Sequence, residues 1–241
     1  MRFAIRCVLR LAGPVVCLVA LAASAAAVTS SEYERDVHTL VLDHLNGSTL
    51  GSGTNVSFES SFPWLDECAF FDGPAHGIDA NIQYPQEDLL CMADGTVEAW
   101  IWLDGSTIES KVLVQTPPIG TPGSTTFQIG FGSTPYEYLH ASCVGTDGFT
   151  LQSSEPFPLR TWTHVAVTWG GRGAELWING ILDDTDAATG HAAAGWHGYL
   201  IAMAGNMTGR IDEIRVSDVQ LPEFPSAVKP ASWTAIKAMY R

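Results

Sequence analysis

The chain has 241 residues, a length that one all-β sandwich can use, so a single domain is the default reading. With 46% hydrophobic and 16% charged residues it has the side chains for a packed core, which excludes a disordered chain. Its formal charge of −14 repels phosphate backbones and argues against nucleic acid, leaving cations, neutral glycans and basic protein patches as partners.

The chain opens with Arg2, Arg6 and Arg10, then an apolar run from Leu11 to Ala23, then the small residues Ala23 to Ala27. This is the pattern of a secretory signal peptide over 1–27, with cleavage after Ala27; an uncleaved membrane anchor is the rival reading. Cleavage removes three arginines and no acids, leaving 9 basic residues against 26 acidic ones, a charge of −17. It also removes Cys7 and Cys17. Cys68, Cys91 and Cys143 remain, enough for one disulfide with one thiol over. Cys68 with Cys91 closes the shortest loop, and buried free thiols are the alternative. Asn46, Asn55 and Asn206 open N-x-S/T sequons, glycan acceptors only in a eukaryotic secretory pathway.

Residues 28–36 read as a polar lead-in. From there short apolar segments alternate with Gly, Pro, Asp, Asn and Ser clusters, the pattern of an antiparallel sandwich. Strands are expected at 37–43, 67–71, 78–83, 96–103, 111–115, 125–131, 136–142, 148–152, 162–169, 173–179, 198–204 and 210–216. In the fourth of these, Val97, Ala99, Ile101 and Leu103 share one face, while Glu98, Trp100 and Trp102 share the other. Aromatic residues on that second face predict that it too is covered. Asn179-Gly180 predicts a type I′ hairpin, because both residues tolerate positive φ. Asp183, Asp184 and Asp186 follow it and read as a solvated edge. Pro222, Pro225 and Pro230 break regular structure, so 219–241 is a C-terminal tail, with Ser232 to Tyr240 able to form a short helix.

Five motifs occur in order: F-F-D-G at Phe70 to Gly73, T-V-E-A-W-I-W at Thr96 to Trp102, W-T-H-V-A-V-T-W at Trp162 to Trp169, A-E-L-W-I-N-G at Ala174 to Gly180, and G-R-I-D-E-I-R-V at Gly209 to Val216. Together they resemble the laminin-G-like domains of the concanavalin A-like lectin/glucanase superfamily, over roughly 37–218. The resemblance implies two stacked antiparallel sheets in a jelly-roll β-sandwich. It also implies one structural calcium ion at the sandwich edge, held by Asp212, by backbone oxygen at Asp72 and Gly73, and by Asp43 as a third candidate. Calcium takes six to eight hard oxygen ligands, which carboxylates and carbonyls supply. The alternative is that Asp72 is a turn former and that Asp212 serves backbone amides.

Related sandwiches include glycoside hydrolases, which need two opposed carboxyl groups. In the glucanase relatives these lie on one strand as E-x-D-x-x-E, and no such array exists here. Glu98 has no acid at positions 100 or 103. G-x-S-x-G, H-E-x-x-H and Walker A motifs are also missing. His164 reads as a packing residue, and His191 and His197 as loop bystanders. The expectation is therefore a secreted, extracellular, non-catalytic module that binds carbohydrate or matrix glycan. A protein-interaction module is the close alternative, and a carbohydrate-active hydrolase the third. The best ligand candidates are Trp196, His197 and Tyr199 at the end of the loop from Thr185 to Gly198, with Trp64 as a second aromatic site; both tryptophans could instead cap the core. Oligomeric state is left open.

Overall fold

The computed structural model describes residues 35–60, 67–76, 80–87, 89–90, 92–105, 111–116, 127–131, 138–144, 147–189, 198–204, 208–222 and 224. The expected signal peptide over 1–27, most of the expected lead-in and tail, Trp64, Cys91, His191, Trp196, His197 and Asn206 lie outside them.

The described strands are β1 (Thr39–Asp43), β2 (Ser52–Thr54), β3 (Val56–Glu59), β4 (Cys68–Asp72), β5 (Asn81–Glu87), β6 (Gly95–Leu103), β7 (Lys111–Thr116) and β8 (Phe127–Phe131). They continue with β9 (Leu139–Cys143), β10 (Thr150–Gln152), β11 (Thr163–Trp169), β12 (Ala174–Ile178), β13 (Ile181–Asp186), β14 (Tyr199–Ala204) and β15 (Thr208–Ser217). The helix α1 (Gly73–His76) is a single turn. Among the described residues no helix is long and apolar enough to cross a membrane.

The strands form two antiparallel sheets. One has eight strands in the order β13-β12-β11-β6-β15-β4-β3, with β1 also on β15; the other has seven, β10-β9-β8-β7-β14-β5-β2. Apolar residues at every second position explain the layering, since alternate side chains point to opposite faces. Val97, Ala99, Ile101 and Leu103 are buried between the sheets against Phe127, Ile129, Leu139 and Ala141 of the seven-stranded layer. The predicted sandwich is thus the observed one. Its sequence pattern missed β2 and β3, which are only three and four residues long.

Two turns show how local chemistry sets register. Asn179 and Gly180 take φ of 53° and 73°, as a type I′ turn demands, and Ile178 pairs with Ile181 across them. Gly173, at φ 89°, lies where an added Cβ would stand 2.3 Å from the carbonyl oxygen of Asp186, so a side chain has no room.

β15 organises the larger sheet. One of its sides pairs with β6 throughout, while the other is shared, Thr208 to Ile211 with β4 and Ile214 to Ser217 with β1. Asp212 and Glu213 fall at the seam between β4 and β1. A β-bulge there puts Glu213 at φ 51°, a conformation seldom adopted by a non-glycine residue. The Glu213 carboxylate holds His44 Nδ1 at 2.8 Å, and Asp212 Oδ1 accepts the Glu213 amide at 2.8 Å.

Candidate functional site

The outward faces of the two sheets differ in chemistry. On the larger sheet, the face bearing Glu98 is sealed. Glu98 Oε2 pairs with His164 Nε2 at 2.8 Å, and Arg215 Nε donates to Glu98 Oε1 at 2.6 Å; Glu98 and His164 are fully buried. The chain after β15 turns back over this network. Leu221 N donates to Thr96 Oγ1, Thr96 Oγ1 donates to the carbonyl of Val219, and Gln220 Nε2 donates to the carbonyl of Gly173. Phe224 then packs on His164 and Trp177, with ring centroids 5.9 and 5.3 Å apart. This segment covers the Thr96 and His164 part of the second face, while Trp100 and Trp102 on the same face stay half-buried.

At one corner of the same face, Arg210 bridges Asp104 at 2.8 Å and Glu59 at 3.2 Å and lies over the Phe70 ring, 4.9 Å from its centroid. Trp102, half-buried against Trp162, donates its indole N–H to Asp104 at 2.8 Å. The guanidinium and carboxylates of this corner satisfy one another.

The seven-stranded sheet presents a different surface. Leu200, Ala202, Ile82, Phe127, Ile129 and Leu151 point into the core, so their neighbours point out. Register then aligns one outward row across all seven strands: Ser52, Gln83, Ile201, Val114, Gln128, Ser142 and Thr150. Val114 and Ile201 are buried at its middle; Gln83, Gln128 and Ser142 are half-buried and Ser52 and Thr150 exposed. A second row brings Lys111, Gly130, His140 and Gln152 into register. Neither row holds a carboxylate, although the chain carries 26 acidic residues. Burial holds the His140 imidazole below its usual pKa, so the ring is neutral at pH 7.

Tyr199 begins β14 two residues before Ile201 and is half-buried. It joins the expected ligand loop to this outward face. Trp196, His197 and Trp64 lie outside the described residues. Sequence reasoning missed Gln83, Gln128, His140 and Ser142; the signal for Gln128 was its place between Phe127 and Ile129, which both face inward.

The residues assigned to calcium do not gather. Asp72 pairs with Thr208 and Asp43 with Ile214, six positions apart along β15, or roughly 15–20 Å at the rise of a strand. Asp43 is buried, and its carboxylate accepts from Thr49 Oγ1 at 2.6 Å, Tyr84 OH at 2.9 Å, Leu50 N at 3.0 Å and Leu45 N at 3.3 Å. Asp72 Oδ1 accepts the amide of Ala75 at 3.3 Å, a turn-forming role beside Gly73. Among the described residues no group of three or more His, Cys, Asp or Glu side chains could hold a metal ion. The set Asp43, Asp72, Gly73 and Asp212 therefore does not fit one shared ion. Cys68 and Cys143 are buried and lie on different sheets.

The family model of the concanavalin A-like lectin/glucanases superfamily matches residues 76–223, more than half of the chain. No curated protein matches the sequence significantly. Among solved structures, domain 4 of an extracellular GH43 arabinanase from Geobacillus stearothermophilus aligns at TM-score 0.53 and 14% identity, over 75% of this chain and 82% of that one. A carbohydrate esterase from the Shiga toxin-encoding bacteriophage phi24B aligns at 0.52 and 15%, over 76% and 99%. Trypanosoma rangeli sialidase aligns at 0.51 and 11% over 75% of this chain, which spans only 30% of the sialidase.

These likenesses establish the fold, and they correct one expectation. A non-catalytic module was expected because the E-x-D-x-x-E strand is missing, yet the arabinanase, esterase and sialidase structures that share the sandwich belong to enzymes. A search along single strands cannot see acids that converge from separate ones, as Glu59 and Asp104 do on Arg210. By its sequence motifs, its paired antiparallel sheets and the family match, the chain belongs to the concanavalin A-like lectin/glucanases superfamily.

Proposed function

We propose that this chain recognises carbohydrate on the outward face of its seven-stranded sheet. The observation that carries the proposal is a row across all seven strands in which amides and hydroxyls flank a buried Val114–Ile201 centre, free of carboxylates in a strongly acidic chain. Gln83 and Gln128 each offer both donors and an acceptor, and Ser52, Ser142 and Thr150 add hydroxyls; sugar hydroxyls need such mixed partners. Rigid strands fix their spacing. The half-buried ring of Tyr199 supplies an apolar surface with a polar tip beside them.

Support also comes from the arabinanase domain, whose structure holds arabinotriose. The same reading keeps Trp196, His197 and Trp64 as aromatic contacts at the rim. It places the protein outside the cell, exported by residues 1–27, where glycan is abundant.

The test is a glycan panel that includes arabinan oligosaccharides, read with wild type and with Gln128→Ala and Tyr199→Ala. Each substitution is expected to weaken binding of a retained glycan about tenfold, the equivalent of one net hydrogen bond. Absence of binding to every glycan, or full binding by both variants, overturns the proposal.

A further inference from the structure

The free sides of β10 and β13, the last strands of the two sheets, lie along the same flank of the sandwich. β10 uses its amides in strict alternation. Leu139 and Cys143 frame its pairing with β9: Ser153 N donates to the carbonyl of Leu139 at 2.8 Å, and Cys143 N to that of Phe149 at 3.1 Å. Antiparallel geometry therefore turns the amides of residues 150, 152 and 154 away from β9, toward the open side. Those three donors are the ones an added strand would take, and an open row of them invites pairing with another chain.

Each is occupied by an aspartate of the opposite sheet. Thr150 N donates to Asp186 Oδ2 at 3.1 Å, Gln152 N to Asp184 Oδ2 at 2.9 Å, and Ser154 N to Asp183 Oδ2 at 2.7 Å. Ser154 Oγ adds a fourth bond, to Asp183 Oδ1 at 2.7 Å. A bulge makes the match. Leu176 pairs with Asp184 and Trp177 with Leu182, so Asp183 is the extra residue on β13. Without it, Asp183 and Asp184 would project to opposite faces; with it, both reach β10.

We infer that Asp183, Asp184 and Asp186 form a carboxylate cap that stands in for a missing strand along β10 and prevents a second copy of this chain from pairing there. Carboxylates are acceptors of the right kind for this task. Their bonds to backbone N–H are stronger than those of a neutral carbonyl. Two copies approaching edge to edge would also bring six negative charges together, three from each. The expectation of a merely solvated edge is corrected: these side chains hold the two sheets together at the flank and close it to strand addition.

The full chain carrying Asp183→Ala, Asp184→Ala and Asp186→Ala together tests the inference, by amide hydrogen exchange and by light scattering across a concentration series. At low concentration the amides of Thr150, Gln152 and Ser154 are expected to exchange at least about tenfold faster than in wild type. As concentration rises the variant associates where wild type does not, and the same three amides regain protection. Unchanged exchange at those amides, or association that leaves them unprotected, overturns the inference. Should the triple variant fail to fold, Asp184→Ala alone must speed exchange at Gln152, and Asp184→Asn, which keeps an acceptor oxygen, must restore protection. Failure of either single variant to do so is equally decisive against the cap.

Discussion

Removing the carboxylate of Glu98 should be among the most damaging single changes in the molecule. Its two oxygens are divided between His164 and Arg215, and neither Glu98 nor His164 touches solvent. Glu98→Ala leaves the half-buried Arg215 guanidinium and the buried His164 imidazole without their shared acceptor. Breaking a buried ion pair from one side costs about 3–5 kcal/mol, and for a domain of this size that lowers Tm by roughly 10 °C. Urea unfolding followed by tryptophan fluorescence measures the loss directly. The pH dependence supplies a second readout. Burial pushes the Glu98 carboxyl up, but the hydrogen bond and charge of His164 and the Arg215 guanidinium outweigh it, so its pKa lies below the ordinary 4.5. The ionised form is thus favoured by folding. Its contribution is complete above 4.5 and disappears as pH falls through the lower folded value. Glu98→Gln should flatten the acid limb of the stability profile in that window. Stability of Glu98→Ala within about 1 kcal/mol of wild type, or an acid limb unchanged in Glu98→Gln, refutes the reasoning.

Two other perturbations are as specific. Asp43→Ala strips an acceptor from Tyr84, Thr49, Leu50 and Leu45, and should cost about 3 kcal/mol in urea unfolding, equally in calcium and in chelator; a loss seen only in calcium would place an ion at Asp43 after all. His140, whose Nε2 is buried without a hydrogen-bond partner among the described residues, is held neutral by burial, so the unfolded chain binds the proton first as pH drops below 6.5. Stability should fall from that pH down to the lower folded pKa, and His140→Gln should remove this part of the slope in thermal melts taken across the range.

The sequence by itself determined the layers and their register points. Alternation put Val97, Ala99, Ile101 and Leu103 inside because burying apolar area drives the fold and a strand exposes alternate side chains to alternate faces. Asn179-Gly180 fixed its hairpin because few residue pairs accept two positive φ angles. Tertiary structure alone decided what the polar residues do. Glu98 meets a histidine 66 positions away and an arginine 117 positions away, and Asp72 and Asp43 part company along β15. The three aspartates of β13 became a cap only because the other sheet brings matching amides alongside. Apolar burial is non-directional and leaves a periodic trace in the chain, whereas a hydrogen bond depends on angle and on partners whose distance in sequence no local pattern records.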